Sequence, residues 1–314
     1  MKEFLSRPNV LFVLKIAVSI GLVAGLIWYI DFKELIESLS HANYLLLALG
    51  FSLVVVNIGL HFYRWRYVLR LVSPAVSDEE VFTSLMVGLT AGFFTPGQIG
   101  EFAGRIASHP ELRKSHVVGV SIIDKLYLLA LTFIFGIISI PIFIFLYYQT
   151  LWTGLYGIAA VTASLSAVFL CLKPTFAKKI FKIIPERFKK HSLYNVVDII
   201  DTRFHEKEGR VLFILTGLLY ILIFTQFFIF ASAFEPISFS HSFMCASSIY
   251  FVKAIVLPLS IGDLGIRESA SVFFFSKVGF SAASAFNASM CMFFANLAIP
   301  SLIGSFLILK LKIK

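Results

Sequence analysis

Two stretches decide how this chain is read: Pro96-Gly97-Gln98-Ile99-Gly100-Glu101-Phe102-Ala103-Gly104-Arg105 and Pro258-Leu259-Ser260-Ile261-Gly262-Asp263-Leu264-Gly265-Ile266-Arg267. Both fit P-x-x-I-G-[ED]-[FL]-[AG]-x-R, so the interval from Pro96 to Pro258 is the length of an internal repeat. Each stretch interrupts a long apolar segment, Val81–Ser108 in one case and Ser242–Lys277 in the other. Proline removes a backbone donor and glycine removes the Cβ. Pro96, Gly97, Gly100, Pro258, Gly262 and Gly265 are therefore where a helix can stop and the chain reverse.

The medium around those breaks follows from composition. Of 314 residues, 58% are apolar or aromatic and 14% charged, with 35 Phe, whereas a soluble domain carries about 25% charged residues. So little polar surface excludes a cytosolic enzyme, a secreted disulfide scaffold and a disordered chain. A spanning helix needs about 20 apolar residues, and Val10–Ile30, Tyr44–Tyr63, Val118–Leu146, Leu151–Leu172, Val211–Phe234 and Ser284–Leu309 meet that length. The first lacks a cleavage site and is expected to be retained. Cys171, Cys245 and Cys291 lie in apolar stretches without metal-like spacing, as small packing residues do.

Charge orients the set. The net charge of +9 is concentrated, with ten of the 27 basic residues between Lys173 and Arg210. That distribution fits cytoplasmic loops against an anionic leaflet rather than nucleic acid. Lys2 and Arg7 precede the first span, Asp31, Glu34 and Glu37 follow it, and the Tyr147–Thr153 connection is uncharged. Both termini are accordingly expected in the cytoplasm of a multi-pass cell-membrane protein. Val81–Ser108 then enters and leaves on the inner side and Ser242–Lys277 on the outer side, so each is expected to be a re-entrant hairpin of two half-length helices. Shifting Tyr44–Tyr63 and Val118–Leu146 by the Pro96-to-Pro258 interval lands on the fifth and sixth spans. The expected fold is all-α and polytopic, with six full spans and two re-entrant helical hairpins in an inverted repeat. It forms a single integral membrane domain over 1–314, with halves at about 44–146 and 206–309 and a basic cytoplasmic loop over 173–210.

The motif carries charge to membrane depth. Glu101 and Arg105 are one helical turn apart, as are Asp263 and Arg267. One reading makes each pair a clasp that pins its hairpin. The other makes Arg105 and Arg267 the site for a phosphate or carboxylate at helix N-termini, with Glu101 and Asp263 holding the guanidinium groups or carrying a coupling proton. Lys253, five residues before Pro258, reads as a cavity-facing cation. Asp124 and Lys125, being adjacent, are expected to point apart toward different elements, with Lys125 a candidate binding residue. Asn57, Gln226, Asn287 and Asn296 read as helix–helix hydrogen-bonding groups. Arg64, Arg66 and Arg70 read as interfacial anchors that can also collect lipid phosphates, and Glu268 as facing polar surface. The sequence has no HExxH, P-loop or GxSxG motif, so no metal, nucleotide or cofactor is implied.

Three segments together resemble the lysylphosphatidylglycerol synthase transmembrane family, also called flippase-like: Phe94-Thr95-Pro96-Gly97-Gln98-Ile99-Gly100-Glu101, Leu257 through Glu268, and Arg64-Trp65-Arg66. The family usually has Gly where Asp263 stands. In its best-known members this region is similar to a lipid flippase joined to a soluble aminoacyl-transferase domain. Some relatives carry glycosyltransferase domains instead. The chain stops at Lys314 without either, so the resemblance implies the flippase-like part and not aminoacyl transfer. The expected function is a transporter that moves an anionic phospholipid or a polyprenyl-phosphate lipid between leaflets. The alternatives are an integral-membrane lipid phosphatase or transferase using Glu101 and Asp263, and a scaffold for a separately encoded transferase.

Overall fold

Every regular element among the described residues is helical. The computed structural model describes residues 20–21, 23–95, 98–148, 153–174, 202–256 and 264–311. Pro96, Gly97, Pro258, Gly262 and Asp263 lie outside them, as does most of the Val10–Ile30 span, of which residues 23–30 are helical. The remaining helices are α1 (Phe32–Ser40), α2 (Tyr44–Arg70), α3 (Asp78–Phe93), α4 (Gly100–Ala107), α5 (Lys114–Tyr148), α6 (Thr153–Leu172), α7 (Glu206–Phe234), α8 (Phe239–Val256), α9 (Ile266–Lys277), α10 (Ala282–Phe293) and α11 (Ile299–Leu311). A π-helical turn, Phe294–Ala298, joins α10 to α11.

Five helices among the described residues are long and apolar enough to cross a bilayer: α2, α5, α7, α8 and the continuous run Ala282–Ile308. Four of these were expected. The fifth, α8, lies in the segment expected to form the second hairpin. It has 18 residues, about 27 Å at 1.5 Å per residue, and α9 has 12. The expected Leu151–Leu172 span appears as α6, with a shorter apolar stretch at Gly157–Leu172.

The helices pack in matched pairs. α2 and α7 run antiparallel: Gln226 donates to the Gly50 carbonyl at 2.8 Å, and Arg64 donates to the Thr216 hydroxyl at 3.0 Å. Thr216 in turn donates to the Leu212 carbonyl. Gln226 stands one repeat after Arg64, and Leu212 one repeat after Gly50, so the two helices touch through corresponding positions. The hairpin helices repeat this exchange. Thr90 of α3 donates to the Ser301 carbonyl at 2.9 Å, while Ser247 of α8 donates to the hydroxyl of Ser139, the counterpart of Ser301, at 2.5 Å.

α3 and α4 form a tight antiparallel hairpin because glycines line their contact. A Cβ on Gly104 would stand 2.7 Å from the Val87 carbonyl oxygen and 2.9 Å from the Gly88 Cα. The start of α3 is fixed by a capping box, Glu80 N–H to the Ser77 hydroxyl and Ser77 N–H to the Glu80 carboxylate. At the far side of the break, Gly100 N–H donates to the Thr95 hydroxyl at 2.7 Å. In the second hairpin Gly265 adopts φ 88°, a left-handed conformation that favours glycine, and α9 starts directly after it.

Candidate functional site

Three helices bring five charged side chains to one buried point. α2 supplies Arg64, α4 supplies Glu101 and Arg105 one turn apart, and α5 supplies Asp124 and Lys125. Arg64 Nη2 donates to Asp124 Oδ1 at 2.6 Å, and Arg105 Nη2 reaches Asp124 Oδ2 at 3.2 Å. One carboxylate therefore holds two guanidinium groups. Arg105 Nη2 also pairs with Glu101 Oε1 at 2.5 Å. Lys125 pairs with the other Glu101 oxygen and donates to the Gln98 side-chain carbonyl at 3.3 Å.

Four of these side chains are 1–4% exposed, and only Lys125, at 29%, reaches the surface. The cluster lies on a floor formed by Trp65. Its indole ring stacks under the Arg105 guanidinium, 3.8 Å from ring centroid to Cζ, and its N–H donates to Ser84 at 2.7 Å. At 1.5 Å per residue, Arg64 sits about 9 Å from the Arg70 end of α2 and Asp124 about 15 Å from the Lys114 end of α5. The site is thus sunk below the basic end of the helix bundle.

A buried ion costs several kcal/mol to desolvate, and removing one partner of a buried pair costs about 3–5 kcal/mol. The network offsets that cost incompletely. Three cations face two carboxylates, and among the described residues Arg64 Nη1 and Arg105 Nε and Nη1 have no hydrogen-bond partner. These donors belong to the planar fork that suits carboxylate and phosphate.

The second half is arranged differently. Arg267 pairs with Glu268 Oε1 at 2.6 Å and donates to Ser289 at 3.1 Å. Glu268 is fully buried, which corrects its reading as a surface-facing residue. Its carboxylate accepts from the Gly265 N–H at 2.7 Å, from Arg267 and from Ser289. The acid serves as a cap for the start of α9, and that start is itself inside the protein. Asp263, the expected partner of Arg267, lies outside the described residues.

Of the residues singled out in the sequence, Glu101, Arg105 and Lys125 are brought together. Arg267 stands apart with Glu268. Lys253 is half-buried on α8, with Nζ 5.2 Å from the Tyr250 ring centroid. Asp124 and Lys125 join the same cluster instead of pointing to different elements, because α4 lies across both. Arg64 is a member of the cluster and not an interfacial anchor, whereas Arg66 and Arg70 share Asp78 at the exposed helix end, at 2.6 and 2.8 Å. Gln226, Asn287 and Asn296 make the expected interhelical bonds, to Gly50, Leu35 and Gln226 respectively. Asn57 is buried and its amide nitrogen has no partner among the described residues.

A polar line leaves the cluster. Thr216, bonded to Arg64, is one turn from Tyr220, which donates to the Leu128 carbonyl at 3.1 Å and also bonds the Thr132 hydroxyl. Tyr220 packs edge-on against Tyr250 at 6.3 Å, and Tyr250 carries Lys253 over its face. Arg64 and Thr216 were missed as site residues in the sequence. The signal that could have found Arg64 is its polar counterpart, Gln226, one repeat away.

Comparison with known proteins gives one family: the model of the lysylphosphatidylglycerol synthase TM region matches residues 12–304. No curated protein matches the chain.

Proposed function

The chain belongs to the lysylphosphatidylglycerol synthase TM-region family, and from that premise we propose that it is a flippase-type transporter moving an anionic phospholipid or lipid-linked phosphate between leaflets. The observation that carries this reading is the buried cluster of Arg64, Arg105 and Lys125 with Glu101 and Asp124, which holds an excess cation and unbonded guanidinium donors at membrane depth. Ionised groups in a bilayer are costly and mark substrate or ion pathways. The line Thr216, Tyr220, Tyr250 and Lys253 supplies polar contacts for a headgroup while acyl chains stay in lipid.

The topology that goes with this function is an inverted repeat with two re-entrant hairpins, both termini in the cytoplasm, and the basic end of the bundle facing inward. It is supported by the antiparallel α2–α7 contact through corresponding residues and by the reciprocal Thr90–Ser301 and Ser247–Ser139 bonds. In secondary transporters such halves rock about a site formed by interrupted helices. Arg267 with Glu268 then acts as the clasp that keeps the second hairpin rigid.

Reconstitution into liposomes carrying headgroup-labelled lipid tests the function. Protein-dependent loss of headgroup protection from an impermeant quencher is the expected result. Identical protection with and without protein, also under a proton gradient, would contradict it.

A further inference from the structure

We infer that the first hairpin moves as one body with α11, and that the π-helical turn Phe294–Ala298 is the joint on which this body turns against the rest of the bundle. The inference deepens the transport reading by naming the moving part, and it rests on that reading only for the purpose of the motion. The last span, Ala282–Ile308, has two parts that keep different company. α10 packs with α7 and α9: Ala285, Phe286 and Met292 share a core with Phe227 and Phe275. The Ala285 carbonyl accepts from Ser271 at 2.8 Å, and Ser289 accepts from Arg267 at 3.1 Å. Among the described residues α3 is the one helix along which α11 packs. Thr90 reaches the Ser301 carbonyl at 2.9 Å, and Leu307 joins the core around Leu85 and Met86. A Cβ on Gly304 would stand 2.7 Å from the Met86 carbonyl carbon. Backbones this close do not slide freely past one another, so α11 goes where α3 goes.

The backbone between the two parts is built to bend. Ile299 N–H donates to the Phe294 carbonyl, one residue further back than in an α-helix. Pro300 has no N–H to give. The buried Ala295 carbonyl is therefore left without a helical donor, and a bend at this point has fewer bonds to break. Sharp changes of helix direction fall at such prolines and π turns. Asn296 pins the turn to α7 by donating to Gln226 at 2.8 Å, which makes it a pivot. One repeat earlier, Thr132–Gly136 of α5 is ordinary α-helix. There Thr132 bonds Tyr220 and Gly136 lies against Phe251. α5 carries its own proline, Pro141, yet Ser139 with Ser247 and Phe143 against Phe274 hold it on either side. The moving body also meets α5 through the Glu101–Lys125 and Arg105–Asp124 pairs, and α2 through the Trp65–Ser84 bond. These are side-chain ties, which can re-form after a small rotation.

Distances between paired spin labels test this on the full chain in nanodiscs of phosphatidylethanolamine and phosphatidylglycerol, with Cys171, Cys245 and Cys291 replaced by alanine. Labels at Ile214 and Phe306 run from the frame to the moving body. Labels at Glu79 and Phe306 lie within the body, and labels at Val55 and Ile214 within the frame; all these positions are exposed. A bend of about 20° acting along the roughly 15 Å of helix from Asn296 to Phe306 moves the label by about 5 Å. The expected result is two maxima about 5 Å apart for the first pair and one for each of the others. Deleting Leu297 together with Pro300→Ala restores an unbroken α-helix, and should leave the first pair with one maximum and abolish lipid movement. Pro300→Ala alone should shift the populations toward one maximum.

A single maximum for Ile214 with Phe306 in the otherwise unaltered chain overturns the inference. So do two maxima that both joint variants leave unchanged, or two maxima for Glu79 with Phe306, which would part α11 from α3. Should the deletion variant fail to fold, Pro300→Ala decides. If the maxima respond to the joint variants while liposomes show no headgroup movement, the inference stands and the transport reading falls. If lipid moves and the first pair keeps one maximum, the reverse holds.

Discussion

The two halves carry the same sequence motif and different chemistry. In the first, two arginines and a lysine crowd two carboxylates, with donors to spare. Among the described residues of the second, one arginine pairs with one glutamate, and the glutamate also caps its helix through the Gly265 N–H. Moving along the chain by one repeat converts Arg64 to Gln226, Asp124 to Phe286 and Lys125 to Asn287. Only the Arg105–Arg267 correspondence survives among the charges described. On the proposed reading, the donors that would meet an anion concentrate in the first copy, and the described part of the second copy carries an arginine paired with a glutamate.

The largest expected effect separates the two arginines. Arg105→Ala takes from Glu101 and Asp124 the cation they share, leaving them Lys125 and Arg64 respectively, and should reduce liposome transport on the order of a hundredfold, consistent with about 3–5 kcal/mol for a broken buried ion pair. Arg267→Ala should lower the thermal unfolding midpoint comparably while reducing transport per folded molecule by less than about tenfold. Equal transport losses, measured on protein matched by size-exclusion profile, would erase the distinction.

Hairpin packing should differ as well, by less. Gly104→Val places side-chain atoms against Val87 and Gly88 and should cost about 1–3 kcal/mol of stability as overpacking. The positions corresponding to Gly88 and Gly104 are Tyr250 and Ile266, so the second hairpin does not depend on such close approach, and Ile266→Val should cost about 0.5–1.5 kcal/mol. Chemical denaturation of both variants checks the contrast.

Much of the fold was legible before the helices could be placed. Apolar length located the α2, α5 and α7 spans and the Ala282–Ile308 run, and the repeated motif fell at the breaks between α3 and α4 and between α8 and α9. The site was half legible. Glu101 and Arg105 declare themselves by a four-residue spacing next to a break. Arg64 did not, because an arginine two turns from a helix end reads as a snorkelling anchor, and its burial depends on α4 and α5 closing over it. Asp124 and Lys125 were seen but separated, since one-residue spacing implies divergent directions and says nothing of a third helix lying across both. Glu268 failed for the opposite reason: an acid in the first turn after a glycine reads as surface capping, yet here the helix begins in the interior.

Trp65 offers a finer comparison. Trp65→Phe removes the hydrogen bond to Ser84 and weakens the stacking on Arg105, with an expected stability loss of about 1–2 kcal/mol. Phe293→Leu removes the ring lying 5.5 Å from the Arg267 Cζ and should cost less, about 0.5–1 kcal/mol. Unfolding midpoints in the same detergent give the order.

The smallest effect concerns the entrance to the first hairpin. Hydrogen bonds from the Ser77 backbone and side chain hold the Glu80 carboxyl below its ordinary value of 4.5. A depressed folded value means that the contribution is present above pH 4.5 and fades as pH falls through the lower folded value. At the corresponding start of the second hairpin stand Phe239 and Ser242, which do not titrate there. Glu80→Gln should therefore unfold slightly below wild type at pH 7, and the gap should close in acid. A gap that widens in acid would contradict the assignment.

Transport by this route requires that the two hairpins enter the membrane from opposite faces and each return to the face they left. Single cysteines at Glu79, Ala107, Ser240 and Lys277, all exposed, in a background with Cys171, Cys245 and Cys291 replaced by alanine, test it with an impermeant thiol reagent in sealed, oriented vesicles. The expected outcome is that positions 79 and 107 label from one face and positions 240 and 277 from the other. Labelling of 79 and 107 from opposite faces would make the first hairpin a crossing and contradict the account.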